Sequence, residues 1–174
     1  PDDVPEFGRK IHVEASRMIQ LVNDILQLSH LDSVSETHAQ PDMETVDLLD
    51  VAKECVERQK LNAQRSFISL TYLGESAKVL GNRDQLDELC QNLCDNAIRY
   101  NRPGGKVQLI TSCTRDGHCT LTVKDNGIGI PKDAQSSVFE RFYRVDKSRS
   151  KATGGTGLGL AIVKHIARIH NARV

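Results

Sequence analysis

The chain has 174 residues, 39% of them hydrophobic, with 23 Lys plus Arg against 23 Asp plus Glu. That length allows one domain of ordinary size plus an appendage, and the apolar fraction is enough for a core. The balanced charge excludes a global basic field for nucleic acid and an acidic one for basic partners, so any electrostatic work must be local. No apolar run approaches the roughly 20 residues needed to span a bilayer, and no signal peptide is visible. Five cysteines, Cys55, Cys90, Cys94, Cys113 and Cys119, are odd in number and form no CxxC pair. This suits a reducing cytoplasm better than a disulfide framework, and the helical pair Cys90 and Cys94 reads as core packing rather than metal ligation. The chain begins at Pro1 without a methionine and reads as a piece of something longer.

Residues 1–33 read as a long amphipathic helix. Ile11, Met18 and Ile25 recur every seven residues, Leu21 and Leu28 occupy the intermediate seam positions, and Ala15 and Val22 broaden the stripe. Such a stripe calls for a partner helix, from missing sequence or a second subunit; the alternative is packing on its own domain. Residues 34–42 are polar, contain Pro41 and read as a linker. The second unit, 43–174, mixes helices and strands. The stretch from Val46 to about Ala63 is expected to contain a helix, 66–73 to form a strand and 77–81 a short one.

Asn82 is placed to cap a helix running to about Tyr100, with Gln85 at the third helical position. Leu86, Leu89, Leu93 and Ala97 fall on one face as candidate core residues. Glu88, Asn92, Asn96 and Arg99 fall together on another, a costly set if buried without partners. The stretches "KVQLITSC" and "CTLTVK" alternate around Asp116-Gly117, a hairpin signal. The second strand then delivers "DNGIGI", in which Asp125 stands at a strand end and Gly127 and Gly129 let backbone pass close to a ligand. An ionised carboxylate is an acceptor and suits an exocyclic amine such as adenine N6; as a lone motif, Asp-Asn-Gly is also an ordinary turn.

From Ser137 to Gly155, "SVFERFYRVDKSRSKATGG" offers a few residues of short helix and the aromatics Phe139, Phe142 and Tyr143, then a polar loop of net positive charge. It reads as a lid over a triphosphate. Four glycines follow within six positions, Gly154, Gly155, Gly157 and Gly159, and lead directly into apolar helical sequence. Backbone N–H groups at a helix start make an anion site without side chains. Neither the Walker A pattern nor the dinucleotide fingerprint fits, because Gly159 is followed by Leu160 and Ala161 and the glycine spacing is wrong.

Together "NLCDNAIRY", "DNGIGI", "FERFYR" and "GGTGLGLAI" resemble the N, G1, F and G2 boxes of bacterial sensor histidine kinases, in order and at family spacing. "LVNDILQLSHLD" likewise resembles the second helix of that family's dimerisation hairpin, so the resemblance covers the chain from about residue 10. It implies an α+β fold, the Bergerat-type two-layer α/β sandwich with a mixed sheet, preceded by the long amphipathic helix of a dimeric bundle and lacking its closing C-terminal strands. It implies ATP and Mg²⁺ as ligands, with Asn92 helping to hold the metal, which takes oxygen ligands. Asn96 and Arg99 would reach phosphate, Tyr100 would pack on adenine, Asp125 would accept from its amine, and Gly127 and Gly129 would shape that pocket. Gly157, Leu158 and Gly159 would offer N–H groups to the triphosphate, and Arg144 would stabilise the transferring phosphoryl. Glu88 sits one turn before Asn92, where ATPases of the wider superfamily carry a water-activating glutamate.

By resemblance, the intact protein would pass the ATP γ-phosphoryl to a histidine and then to an aspartate of a response regulator. It would be a homodimer through its hairpin and the cytoplasmic portion of a membrane-anchored sensor, touching the membrane only through segments absent here and binding no nucleic acid. The phosphoacceptor stretch of the family is not found: Ser29-His30 is followed by Leu31-Asp32, and His12, His38, His118, His165 and His170 lack its context. Autophosphorylation by this chain alone is therefore not expected. Two other uses remain open at this point, an ATP-hydrolysing clamp and a degenerate, dimerising module.

Overall fold

The computed structural model of the chain describes residues 4–37, 42–145 and 155–174. Helix α1 spans Val4–Thr37, passing Ser33 into the polar stretch expected to be a linker; residues 38–41 of that stretch lie outside the described residues. Its apolar stripe divides. Leu28 is buried with Leu158, Ile162 and Ile166, and Leu21 packs beside it, whereas Ile11, Met18, Val22 and Ile25 stand exposed.

Strand β1, Glu44–Asp47, was not signalled by the sequence, because four residues with one buried apolar side chain, Val46, are too short to show alternation. It ends in Asp47, the N-cap of α2 (Leu48–Arg65): Oδ1 of Asp47 accepts the N–H groups of Leu49 and Ala77, each at 3.0 Å. The hydroxyl of Ser76 also donates to Asp47, and these bonds hold its carboxyl below the usual range. Strand β2 is Ser69–Gly74, starting later than expected because the amides of Ser66 and Ile68 close α2 by bonding to the Ala63 carbonyl. Strand β3 is Lys78–Gly81, helix α3 is Arg83–Arg99, strands β4 and β5 are Lys106–Cys113 and Cys119–Asp125, and helix α4 is Gly159–Ile169. Asn82 caps α3 as anticipated, its side chain accepting from Gln85 N at 3.0 Å.

Strands β1 and β3 form an antiparallel ribbon, while β2, β4 and β5 form a mixed sheet in that order, β2 parallel and β5 antiparallel to β4. Helices α2 and α3 cover this sheet over Val51, Cys55, Cys90, Cys94, Val107 and Leu109. The core face of α3 is thus centred on Leu86, Cys90, Cys94 and Ala97, and not on Leu89 and Leu93, which are half-buried. The shift arises because α3 is packed on two sides: α2 takes the cysteine face, and Leu89 packs towards α1 and α4 in a second, smaller core. The thiols of Cys90 and Cys94 are pushed up by hydrogen bonding to Cys55 and by burial, as core cysteines would be.

The reading of the cysteines as a reduced set is corrected at one pair. Cys113 and Cys119 face each other directly across the β4–β5 ladder, with Cα atoms 4.1 Å apart, and are joined as a disulfide. Their six-residue separation spans a hairpin, a geometry that a search for CxxC does not detect. The hairpin turns at Gly117, with φ 86°, as the Asp-Gly signal required. Between Pro131 and Val145 the chain forms hydrogen-bonded turns through Ala134, Ser137 and Glu140 in place of the expected short helix. The rest of the expected lid, 146–154, lies outside the described residues. Among the described residues no helix is long and apolar enough to cross a membrane.

Candidate functional site

The seam between α3 and α4 brings the asparagines of one to the glycine loop of the other. A side chain at Gly159 would place its Cβ 2.8 Å from Asn92 Oδ1 and 3.6 Å from Asn96 Nδ2. Asn92 is held in place by its amide donating to the Glu88 carbonyl at 3.1 Å. At Gly155 a Cβ would lie 3.1 Å from Tyr100 Oη and 3.3 Å from Arg99 Nη1. Four of the expected residues, one per helical turn or its neighbour, therefore line up along the glycine-rich segment. Arg99 is braced by Asp95, with Nη2 to Oδ2 at 2.7 Å.

Asp125 ends β5, and its Oδ1 accepts the Gly127 N–H at 2.8 Å. Ile128 N–H donates to the Tyr100 carbonyl at 3.1 Å, joining this turn to the end of α3. Gly127 and Gly129 do different jobs. Gly127 lies so close to the Tyr100 carbonyl and Asp125 that a Cβ would not fit, whereas Gly129 has open space and is required by its φ of 72°.

Gly157 also has positive φ, 78°, and its carbonyl accepts the Phe142 N–H at 2.9 Å, fastening the "FERFYR" turn to the glycine loop. Phe142 itself adopts φ 63°, strained for a bulky residue. Arg144, next along, has Nε and Nη2 buried without a hydrogen-bond partner among the described residues. Buried guanidinium donors left unmade are costly, and an anionic oxygen is the group that satisfies them. Together with a glycine loop where a Cβ would crowd Asn92, Arg99, Tyr100 and Phe142, this donor set fits a phosphate chain.

Glu88 takes a different position from Asn92 and Asn96. Its Oε1 is buried without a hydrogen-bond partner among the described residues, and its surroundings include Gln27 and Asp24 of α1. Burial raises its pKa to about 7; Gln27 as a donor works against the rise, and the Asp24 charge adds to it. Leu158 is fully buried, and its N–H donates to Thr156 Oγ1 at 3.3 Å. In this arrangement the Leu158 N–H is thus engaged by a hydroxyl two residues back, a local bond that a ligand would have to displace. The sequence reading missed Thr156 and Asp24. The available signal was a carboxylate set between Leu21 and Leu28 at helical spacing, a poor choice for a purely apolar seam.

A separate charged groove of about 460 Å³, lined by Asp47, Asp50, Lys53, Glu54, Lys78 and Arg83 among others, lies on the β1–β3 ribbon and shares no residue with this site.

The sequence profile of the family described as histidine kinase-, DNA gyrase B- and HSP90-like ATPase matches residues 81–174. The sensor-like histidine kinase SenX3 of Mycolicibacterium smegmatis is 43% identical over 100% of this chain and 44% of its own length. The sensor protein kinase WalK of Staphylococcus saprophyticus is 37% identical over 98% of this chain and 28% of its own length. The chain thus spans less than half the length of these relatives. Among solved structures, the mycobacterial sensor histidine kinase MprB superposes with a TM-score of 0.64 at 34% identity, covering 74% of this chain and 80% of that one. Full-length ShkA in complex with AMPPNP gives 0.73 at 26% identity, covering 90% and 32%.

Proposed function

Because the chain belongs to the histidine kinase-, DNA gyrase B- and HSP90-like ATPase family, we propose that it binds ATP·Mg²⁺ between α3 and α4 for transfer of the γ-phosphoryl to a histidine. The observation that carries this reading is the apposition of Asn92 and Asn96 to Gly159, together with buried Arg144 donors that have no hydrogen-bond partner among the described residues. Helix α1, Val4–Thr37, is the second helix of a dimerisation hairpin, and 43–174 is the catalytic domain. The protein is the cytoplasmic portion of a membrane-anchored sensor that dimerises through its hairpin and passes the phosphoryl to a response-regulator aspartate. That ShkA has been captured with AMPPNP supports the choice of nucleotide.

Asn92 would supply an oxygen to Mg²⁺, a metal that favours oxygen ligands. Asn96 and Arg99 would donate to phosphate oxygens, and Asp125 would accept from the adenine amine beneath Tyr100. Gly157, Leu158 and Gly159 would give backbone donors. Arg144 would stabilise charge on the phosphoryl as it leaves, an electrostatic role that its desolvated guanidinium suits. Glu88 would act as acid or base, a task for which a carboxyl with its pKa raised to about 7 is well matched. When bound, Mg²⁺ would supply charge neutralisation to the phosphates.

Calorimetric titration with a non-hydrolysable ATP analogue, with and without Mg²⁺ and with GTP as control, tests the reading. Saturable, ATP-selective binding strengthened by Mg²⁺ is expected; absence of binding would reject it.

A further inference from the structure

Asp24 of α1 carries a buried carboxylate, 7% exposed. Thr156 Oγ1 donates to its Oδ2 at 2.6 Å, across 132 residues of sequence, and Gln20 Nε2 donates to its Oδ1 at 2.7 Å. A buried charge is tolerated only when hydrogen-bonded; Gln20 satisfies one oxygen from within α1, and Thr156 alone ties the carboxylate to the segment that leads into α4. The same Thr156 oxygen accepts the Leu158 N–H. A hydroxyl whose proton is drawn towards a carboxylate becomes a better acceptor, so engagement of Asp24 tightens the hold on Leu158. The Leu158 side chain is meanwhile sealed by Leu28 of the same helix, with Ile162 and Ile166 beneath.

We propose that the Asp24–Thr156 contact is an autoinhibitory latch: while α1 is docked it withholds the Leu158 N–H from the phosphates, so docking and nucleoside triphosphate binding oppose each other. The inference rests on the nucleotide reading above and adds a regulatory contact to it. Charge acts in the same direction. Asp24 stands one hydroxyl away from the glycine loop and near enough to Glu88 to interact with it, placing two carboxyl groups where a triphosphate would bring further negative charge. Linkage makes the effect reciprocal: whatever α1 docking costs the nucleotide, the nucleotide costs docking.

The test uses the full chain and the variants Asp24→Asn, Thr156→Val, their combination, and Thr156→Ser. Each is titrated calorimetrically with a non-hydrolysable ATP analogue and Mg²⁺, and hydrogen exchange of the Leu158 amide is followed by NMR without nucleotide. Asp24→Asn and Thr156→Val are expected to bind at least about fivefold tighter, and the combination no tighter than either alone. Thr156→Ser, which keeps the hydroxyl, should match the native chain, and the Leu158 amide should exchange faster in Asp24→Asn. If the native chain binds and neither Asp24→Asn nor Thr156→Val binds tighter, the latch is overturned while the nucleotide site stands. Thr156→Val decides the matter should Asp24→Asn fail to fold. No binding by the native chain or any variant would overturn both.

Discussion

Asn92 and Gly159 meet across the α3–α4 seam, where Asn92 Oδ1 occupies the space a Cβ would need, 2.8 Å away. Because Asn92 is anchored through the Glu88 carbonyl, it cannot swing aside without losing that bond. Gly159→Ala is therefore expected to displace Asn92 and weaken ATP-analogue binding about tenfold, or ~1.4 kcal/mol. Titration of a variant with native circular dichroism checks this, and native affinity would separate Asn92 from the ligand.

Asp125 is expected to matter for both turn and ligand. Asp125→Ala removes the acceptor of the Gly127 N–H and of the adenine amine, and should cost about 1–3 kcal/mol of nucleotide affinity. Discrimination against GTP should fall with it. Unchanged ATP affinity in the folded variant would mean that adenine sits elsewhere.

Glu88 gives stability a pH dependence. Its pKa is raised in the folded chain from 4.5 to about 7, so between those values the folded state holds more protons than the unfolded one. Stability from this group is full below about pH 4.5 and is lost as pH rises through about 7. Glu88→Gln, which cannot ionise, should therefore melt higher than the native chain at pH 8, with the advantage gone by pH 4.5. Melting curves at four pH values would show it; a constant difference would remove Glu88 as its source.

The Cys113–Cys119 crosslink closes a loop of six residues' separation. On loop entropy it should contribute about 2 kcal/mol, so replacing both cysteines by serine should lower the denaturant midpoint by that equivalent. Thiol titration of the denatured chain should count three free cysteines before reduction, namely Cys55, Cys90 and Cys94. Five would place the pair in the reduced form.

His170 uses both ring nitrogens: Nε2 accepts the Asn82 N–H at 3.0 Å and Nδ1 donates to the Ile166 carbonyl at 2.8 Å. This fixes the neutral Nδ1–H tautomer and ties the end of α4 to the cap of α3. His170→Ala should destabilise by about 1–3 kcal/mol. Nitrogen-15 shifts of the imidazole would report the tautomer, and an Nε2–H form would contradict this assignment.

The sequence by itself determined the elements whose signal is local. The Asn82 cap, the Asp116-Gly117 hairpin and the alternation of β4 and β5 need only a few neighbouring residues to be legible, and the structure has them where the pattern puts them. The polar stripe of α3 was legible too, because helical periodicity alone sets Asn92, Asn96 and Arg99 on one side. Tertiary structure decided what depends on residues far apart in the chain. Strand β1 exists because β3 pairs with it. The core face of α3 rotated to its cysteines because α2 and α4 claim different sides of it. Cys113 and Cys119 became partners through strand register, which spacing alone does not reveal. Asp24 found Thr156 because α1 lies against α4, burying Leu28 and leaving a carboxylate that needed a donor. Burial and long-range hydrogen bonding are properties of the packed whole, and no window of sequence contains them.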